Sequence, residues 1–388
     1  VHFGRRIMEK SGKALTKANA IAVWGAGVVG SLAYCFSDTF WFSAVEGEVY
    51  AMSSLLTAVV FWAILKWEEE ADTKYANRWI VLISFLMGLS IGVHLLNLLA
   101  IPAIVFIYYY KKHENEKMSL GKGFLILALS GVILGVILFG IIPYVPKITA
   151  LVDRIFVNIL GLPYNVGAAL FMAALFVSCF VCLRIFRAKG NALWHTITLC
   201  FTTILIGYSV FAVVMIRANA NTPMNEYQPD NAYTLVRYLS REQYGKNPVI
   251  YGEAYTSPMY AGTDTYWTPL DGKYYKADSP LHAEYPAGAK MIFPRMWSTQ
   301  SSAHTSFYDV YTNNNFKNVN VVMPDGSKRV AMMPRFADNL RFFFDYQLNY
   351  MYFRYFFWNF VGRQNDLHGE TPGDPIRGNW ESGIKFID

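Results

Sequence analysis

Long apolar runs separated by short polar ones fill the first 216 residues of the chain. A helix that crosses a hydrocarbon layer about 30 Å thick needs about 20 mostly apolar residues, because each adds about 1.5 Å of rise. Runs at residues 20–41, 51–67, 79–94, 96–111, 123–143, 166–186 and 193–216 reach or approach that length. The pattern predicts about seven spans, with Asn97 and Pro102 reversing the chain near His94. The two runs on either side of that reversal are short, so neighbouring helices are expected to shield them in part. After Ile216 the pattern changes. Residues 217–388 are rich in Tyr, Asn, Pro and Gly and hold no run clean enough to span. Here residues 249–251 and 319–323 read as short strands, the second ending at the turn Pro324-Asp325-Gly326, and residues 234–244 read as a helix. Residues 336–361 are apolar and strongly aromatic, yet Asp338, Arg341, Asp345 and Arg354 would be costly against lipid. That segment is expected as a helix at the membrane interface or packed on the bundle, and residues 148–160 as a second one. The fold class that follows is an α-helical polytopic membrane protein, residues 1–216, followed by a mixed α/β domain, residues 217–388.

The loops test this alternation. With residues 1–19 inside, the inner segments carry Arg5, Arg6, Lys10, Lys13, Lys17, Lys66, Lys74, Arg78, Lys111, Lys112, Lys117, Lys122, Arg184, Arg187 and Lys189. The outer loops of the span region carry only Lys147 and Arg154. That bias is the one the positive-inside rule requires, and it places residues 217–388 outside the cytoplasm.

Composition agrees: 54% of residues are hydrophobic and only 16% charged, against about 25% charged in a typical soluble domain. The net charge of +6 lies in the short inner loops, so it reads as topology and not as a nucleic-acid surface. Cys35, Cys179, Cys182 and Cys200 all fall in apolar runs. The Cys179-x-x-Cys182 pair has no second ligand pair nearby, so it reads as small residues within a membrane helix. Gly25-Ala26-Gly27-Val28-Val29-Gly30 matches a dinucleotide-binding fingerprint, but that reading needs a strand before it and a soluble βαβ unit around it. Small residues at this spacing also let membrane helices pack closely, which is the expected role. The chain opens without Met and closes at Asp388 without an evident final element, as a fragment of a longer protein would.

Three places carry groups suited to chemistry. The first outer loop holds Asp38, Glu46 and Glu48 beside aromatic rings and no basic residue. Carboxylates at a membrane surface suit proton transfer, and equally they keep a loop hydrated. His94, at the outer end of its run, suits a phosphate contact or a proton shuttle, or else a hydrogen bond between helices. The block at residues 354–366 contains Arg354, Trp358, Asn359, Arg363, Asn365 and Asp366, groups that suit sugar or peptide recognition. Snorkelling arginines of an interfacial anchor are the structural alternative, and the favoured one. No metal-ligand set is assigned.

These residues resemble a known family. The run Phe40-Trp41-Phe42-Ser43-Ala44-Val45-Glu46-Gly47-Glu48-Val49-Tyr50-Ala51 is similar to the domain of unknown function 2723 family, which includes the transmembrane protein 260 type protein O-mannosyltransferases. So are Gly88-Leu89-Ser90, His94-Leu95-Leu96-Asn97, Gly161-Leu162-Pro163, Arg241-Glu242-Gln243-Tyr244-Gly245, Phe293-Pro294-Arg295-Met296 and the block at 354–366. The resemblance covers nearly the whole chain and is nearest to the bacterial branch. It implies a GT-C-like bundle in the bacterial inner membrane with a periplasmic C-terminal region. It also implies transfer of a sugar, mannose in this family, from a polyprenyl-phosphate donor to Ser or Thr of exported proteins. Membrane lipid, the donor and protein acceptors would be its partners. On that reading Glu48, with Glu46 and Asp38, orients or deprotonates the acceptor hydroxyl. His94 and Arg217 stabilise the departing lipid phosphate. The family begins with an earlier span and an acidic first outer loop, followed by a His-Pro-Pro-Gly-like segment. Neither is in this sequence, so a fragment without the principal catalytic acid is expected. The rival readings are transfer to a lipid or surface polysaccharide, and a transporter or scaffold. A transporter would place ionisable groups deep in several spans.

Overall fold

The computed structural model describes residues 1–12, 16–114, 116, 119–242, 245, 248–369 and 371–387. Lys13 and Lys117 of the basic loops, and Gln243 and Tyr244 of the expected helix, lie outside the described residues. The helices in chain order are α1 (His2–Lys10), α2 (Lys17–Cys35), α3 (Asp38–Val45), α4 (Tyr50–Glu70) and α5 (Asn77–Ile91). A 3₁₀ turn, Leu95–Ala100, leads into α6 (Ile101–Lys112). Then come α7 (Leu120–Gly135), a π-helical stretch Val136–Ile141, α8 (Ile142–Leu160), α9 (Val166–Ala188), α10 (Ala192–Tyr208), α11 (Phe211–Asn219) and α12 (Ala232–Leu239). Strands follow: β1 (Tyr251–Glu253), β2 (Tyr260–Gly262), β3 (Thr265–Leu270), β4 (Lys273–Asp278), β5 (His282–Glu284) and β6 (Lys290–Ile292). After α13 (Ser302–Thr312) come β7 (Lys317–Val322) and β8 (Lys328–Met333). The described elements end with α14 (Phe336–Phe342), a π-helical Phe343–Arg354 and α15 (Tyr355–Phe360).

The chain forms two compact units. The first is Val1–Gln243 with Trp267–Tyr275, and the second is Tyr244–Tyr266 with Lys276–Asp388. Six helices of the first unit are long and apolar enough to cross a membrane: Lys17–Cys35, Tyr50–Glu70, Leu95–Lys112, Leu120–Leu160, Val166–Ala188 and Ala192–Asn219. This makes the chain a multi-pass membrane protein. The expected span at 79–94 is the shorter apolar helix Asn77–Ile91.

Ion pairs order the helix ends of this unit. Arg5 and Arg6 of α1 meet Glu69 and Glu68 at the end of α4, at 2.7 and 2.6 Å. Arg78 of α5 pairs with Glu70 at 2.7 Å, and Lys111 of α6 with Asp72 at 3.4 Å. Surface pairs of this kind add little stability, but they gather the basic residues of α1, α5 and α6 around one end of α4. Tyr50, which opens α4, touches His94 after α5, with ring centroids 5.7 Å apart. The acidic loop and the imidazole therefore lie at the opposite end of α4 from those basic segments, as the alternation predicts.

The tightest crossing joins α5 and α10. A Cβ on Gly88 would strike the backbone of Ile204, and one on Gly207 would lie 2.5 Å from Leu89 N and Phe85 O. Each glycine is there because the facing backbone takes the space of a side chain. The glycines of α2 divide, for a Cβ on Gly27 would lie 2.5 Å from Val1 Cγ2. Gly25 and Gly30 have nothing within 4 Å of a built Cβ, so the close packing expected of them is not made among the described residues.

The expected span at 123–143 and interfacial helix at 148–160 are one helical run, Leu120–Leu160. Pro146 lacks the N–H that would bond the carbonyl of Ile142, a loss that ordinarily ends or kinks a helix. The buried Tyr208 of α10 donates its hydroxyl to that carbonyl at 2.9 Å, and the helix continues. Near its end, the fully buried Asp153 accepts from Asn165 N–H at 3.2 Å, Ala168 N–H at 3.1 Å and Tyr274 O–H at 2.8 Å. A carboxylate here satisfies the first turn of α9 and complements its dipole. Asn158 binds both backbone groups of Tyr274 at 2.8 Å, and the Arg154 guanidinium lies 4.0 Å over Trp267. Together these fix the β3–β4 hairpin end to α8. Burial and the neighbouring carboxylate raise the Tyr274 phenol above its ordinary pKa, so it remains a donor.

The second unit is built from antiparallel pairs, β1 with β6, β2 with β5, and β7 with β8. Its apolar centres are Ala254, Ala289, Val321, Ala331 and Met333, and a second group of Met296, Tyr308 and Phe342. Arg295 is 6% exposed and donates to the carbonyls of Glu253 and Val249 at 2.9 and 2.8 Å, and burial lowers its pKa. The β7–β8 turn carries Pro324-Asp325-Gly326, where the Ser327 N–H donates to Asp325 at 2.9 Å. The aromatic segment expected at 336–361 is helical from Phe336 to Phe360.

Candidate functional site

Asp38 stands in the first turn of α3, Glu46 follows its last turn, and Glu48 lies in the bend before α4. All three are exposed, and no hydrogen bond or ion pair engages their carboxylates among the described residues. This contrasts with the acids at the other end of α4, which are taken up by Arg5, Arg6 and Arg78. A carboxylate without a cationic partner is a base available to a substrate hydroxyl.

His94 caps the turn Leu95–Ala100. Its Nδ1 accepts from Leu96 N–H at 3.1 Å, so the neutral ring carries its proton on Nε2. That leaves one ring N–H available as a donor to an anion. Beneath it, the fully buried Asn97 has neither amide atom partnered among the described residues, and the same holds for the hydroxyl of buried Ser53 on α4. Buried polar groups are nearly always paired, so these two stand out, and the sequence marked Asn97 only as a turn residue and as the end of a segment that resembles the family.

A groove of about 660 Å³ opens beside the acidic loop. Tyr34 of α2, Phe40 of α3, Ala51, Leu55, Ala58 and Phe61 of α4, and Leu96 and Leu99 beside His94 line it. From Ala51 to Phe61 it follows α4 for about 15 Å at the usual rise per residue. Its walls are apolar apart from Ser54, Thr57 and the Tyr34 hydroxyl. Arg217 is exposed near the end of α11, and no hydrogen bond or ion pair joins it to His94 or to the acidic loop among the described residues.

The block at 354–366 belongs to the second unit, and most of its donors are spent locally. Arg354 donates to the carbonyls of Tyr350 and Gly378, and its guanidinium lies 4.3 Å over the Tyr350 ring. Asn359 donates to Tyr355 O at 2.8 Å, and Asn365 accepts from Leu367 N–H at 3.0 Å. Arg363 covers Trp358 at 4.0 Å and pairs with Asp366 at 3.4 Å. These contacts fit an architectural role. A polar cavity of about 330 Å³ lies against Asn349, Tyr350, Arg354, Asn379 and Trp380.

Neither a curated protein nor a solved structure matches the chain. Two family models do. Residues 245–344 match a family of unknown function, DUF8416. Residues 1–117, which include Asp38, Glu46, Glu48, His94 and every residue lining the groove, match the Protein O-mannosyl-transferase TMEM260 N-terminal domain, so the segment that carries the candidate site is similar to part of a membrane glycosyltransferase.

Proposed function

We propose that this protein is a GT-C type glycosyltransferase that moves a sugar, mannose by its family resemblance, from a polyprenyl-phosphate donor to a Ser or Thr hydroxyl of an exported protein. The observation that carries the reading is the apolar groove running away from an exposed carboxylate loop and a histidine N–H, all at one end of the first unit. An isoprenoid tail fits such a groove by burying apolar surface at about 25 cal/mol per Å². The headgroup then lies at its mouth. There Glu48, with Glu46 and Asp38 beside it, takes the proton of the acceptor hydroxyl as its oxygen bonds to the sugar C1. The bond from C1 to the phosphate oxygen breaks, and polyprenyl phosphate leaves. His94 Nε2–H, together with Arg217, stabilises the developing phosphate charge. On this reading the reaction takes place on the non-cytoplasmic side of the inner membrane, a placement that the bias of the basic loops supports.

The groove supplies the test. Ala58→Trp fills its wall without touching the loop. With a long-chain polyprenyl-phosphate sugar, KM for the donor should rise about tenfold or more, while a donor with a short tail is used as before, since the indole displaces tail and not headgroup. Equal use of both donors by parent and variant would show that the groove does not hold the tail.

A further inference from the structure

The second unit carries a side-chain constellation that the transfer reaction does not use. Gly262 and His282 face each other in the antiparallel β2–β5 pair, with Tyr260 opposite Glu284. His282 and Glu284 are two residues apart on one strand, so their side chains leave the same face. Asp264 continues the chain two residues beyond Gly262, and its backbone is fixed from both sides. Its N–H donates to Ser279 Oγ at 2.9 Å, and its carbonyl accepts from Ser279 N–H at 2.7 Å. The outcome is convergence. His282 Nε2 lies 3.5 Å from Asp264 Oδ2 and 3.3 Å from Glu284 Oε1, and the three ligand atoms lie within 4.8 Å of one another.

We propose that Asp264, His282 and Glu284 bind a divalent transition-metal ion, with Zn²⁺ the best fit and Mn²⁺ next. Ligand atoms held about 2.1 Å from one cation lie roughly 3.0 Å apart in octahedral and roughly 3.4 Å apart in tetrahedral geometry. The two separations at His282 are of that size. Two carboxylates and a neutral imidazole balance the charge of a divalent ion, and an imidazole in the set favours Zn²⁺ or Mn²⁺ over Mg²⁺ and Ca²⁺.

The surroundings support each ligand as outer-shell groups do around metals. Tyr260 O–H donates to Glu284 Oε2 at 3.1 Å, which leaves Oε1 turned towards His282. His282 Nδ1 lies 3.5 Å from Pro280 O, a position that favours the proton on Nδ1 and the lone pair on Nε2. Gly262 is the residue that permits the arrangement, because a Cβ there would sit 2.5 Å from Glu284 Cγ and 2.6 Å from its Cδ. The side chains are 50% exposed at Asp264, 30% at His282 and 34% at Glu284, so the remaining coordination positions face solvent and take water or an anionic group.

His2 offers an internal comparison. Its two nitrogens meet Glu68 and Glu69 separately, at 3.2 and 3.3 Å. No single ion takes both of its nitrogens.

The test is Zn²⁺ titration of the whole chain in detergent after chelator treatment, read by competition with a chromophoric chelator. The parent should take up about one equivalent. His282→Ala and Asp264→Asn should each weaken uptake roughly tenfold or more. Gly262→Ala, which removes no ligand, should also weaken it by displacing Glu284. His2→Ala and Asp325→Asn should bind as the parent does. The exposed Asp264→Asn change leaves the strand pair intact, so its result stands even if His282→Ala folds poorly. Parent uptake no tighter than that of Asp264→Asn, or uptake lost with His2→Ala in place of His282→Ala, would overturn the proposal. Sugar transfer is not part of the readout, so the site and the proposed reaction fail or survive separately.

Discussion

Replacing Asp153 with alanine removes the acceptor for three donors at once: Asn165 N–H, Ala168 N–H and Tyr274 O–H. The site is fully buried, so water cannot take over those bonds without opening the junction of α8, α9 and the hairpin end. An orphaned buried donor costs about 1–3 kcal/mol, and the charge at the start of α9 adds a favourable dipole interaction, so Asp153→Ala should cost about 4 kcal/mol. For a unit of this size that is a fall of roughly 8–16 °C in Tm, read by intrinsic fluorescence of the detergent-solubilised chain. Asp153→Asn keeps the shape and one acceptor oxygen but turns an amine towards a donor, so it should fall between parent and alanine. Tyr274→Phe removes a donor and leaves the carboxylate its two backbone partners, so it should cost about 1 kcal/mol. The reasoning fails if Asp153→Ala melts with the parent, or if Tyr274→Phe is the more damaging change.

Gly207→Leu should prevent stable assembly of α5 against α10, whereas Gly135→Leu, which meets nothing within 4 Å, should leave monodisperse protein by gel filtration. Tyr208→Phe should destabilise by about 1 kcal/mol in the parent and by much less in a Pro146→Ala background, where the restored N–H satisfies Ile142 O. Equal costs in the two backgrounds would break that link. Asn97→Leu should change stability by less than about 1 kcal/mol or raise it, because no side-chain partner among the described residues is lost. A loss of sugar transfer without a loss of Tm would then assign Asn97 to the site.

What the sequence made legible follows from what each signal measures. Apolar run length reports directly on membrane crossing, so the helices appeared where the runs lay, and the bias of basic loops agreed with the ends joined by the Arg5, Arg6, Arg78 and Lys111 pairs. Residues 123–143 and 148–160 read as separate elements but form one helical run, sustained past Pro146 by the hydroxyl of Tyr208, far along the chain. Glycine spacing held in part in α2. Close packing needs a partner, which Ile204 supplies to Gly88, the α5 backbone to Gly207 and Val1 to Gly27, and which Gly25 and Gly30 lack among the described residues. At the candidate site, Asp38, Glu46, Glu48 and His94 were visible as polar residues at the edge of apolar runs. The groove was not, because its walls come from four segments with ordinary membrane sequences. Composition left Arg354 and Asn359 open between recognition and an interfacial anchor, the anchor favoured, and donors spent on carbonyls of their own unit fit a structural role. The Asp264, His282 and Glu284 set left only a His-x-Glu alternation in a three-residue strand, too short to mark a ligand pair without the opposing strand.

The account turns on Glu48 acting at the mouth of the groove. Membranes containing the intact protein, given a radiolabelled polyprenyl-phosphate sugar and a Ser/Thr acceptor peptide, measure that step directly. Glu48→Gln should lower transfer by about 10²–10⁴-fold at unchanged protein level, the range for loss of a general base. Transfer by Glu48→Gln at the parental rate would contradict the account.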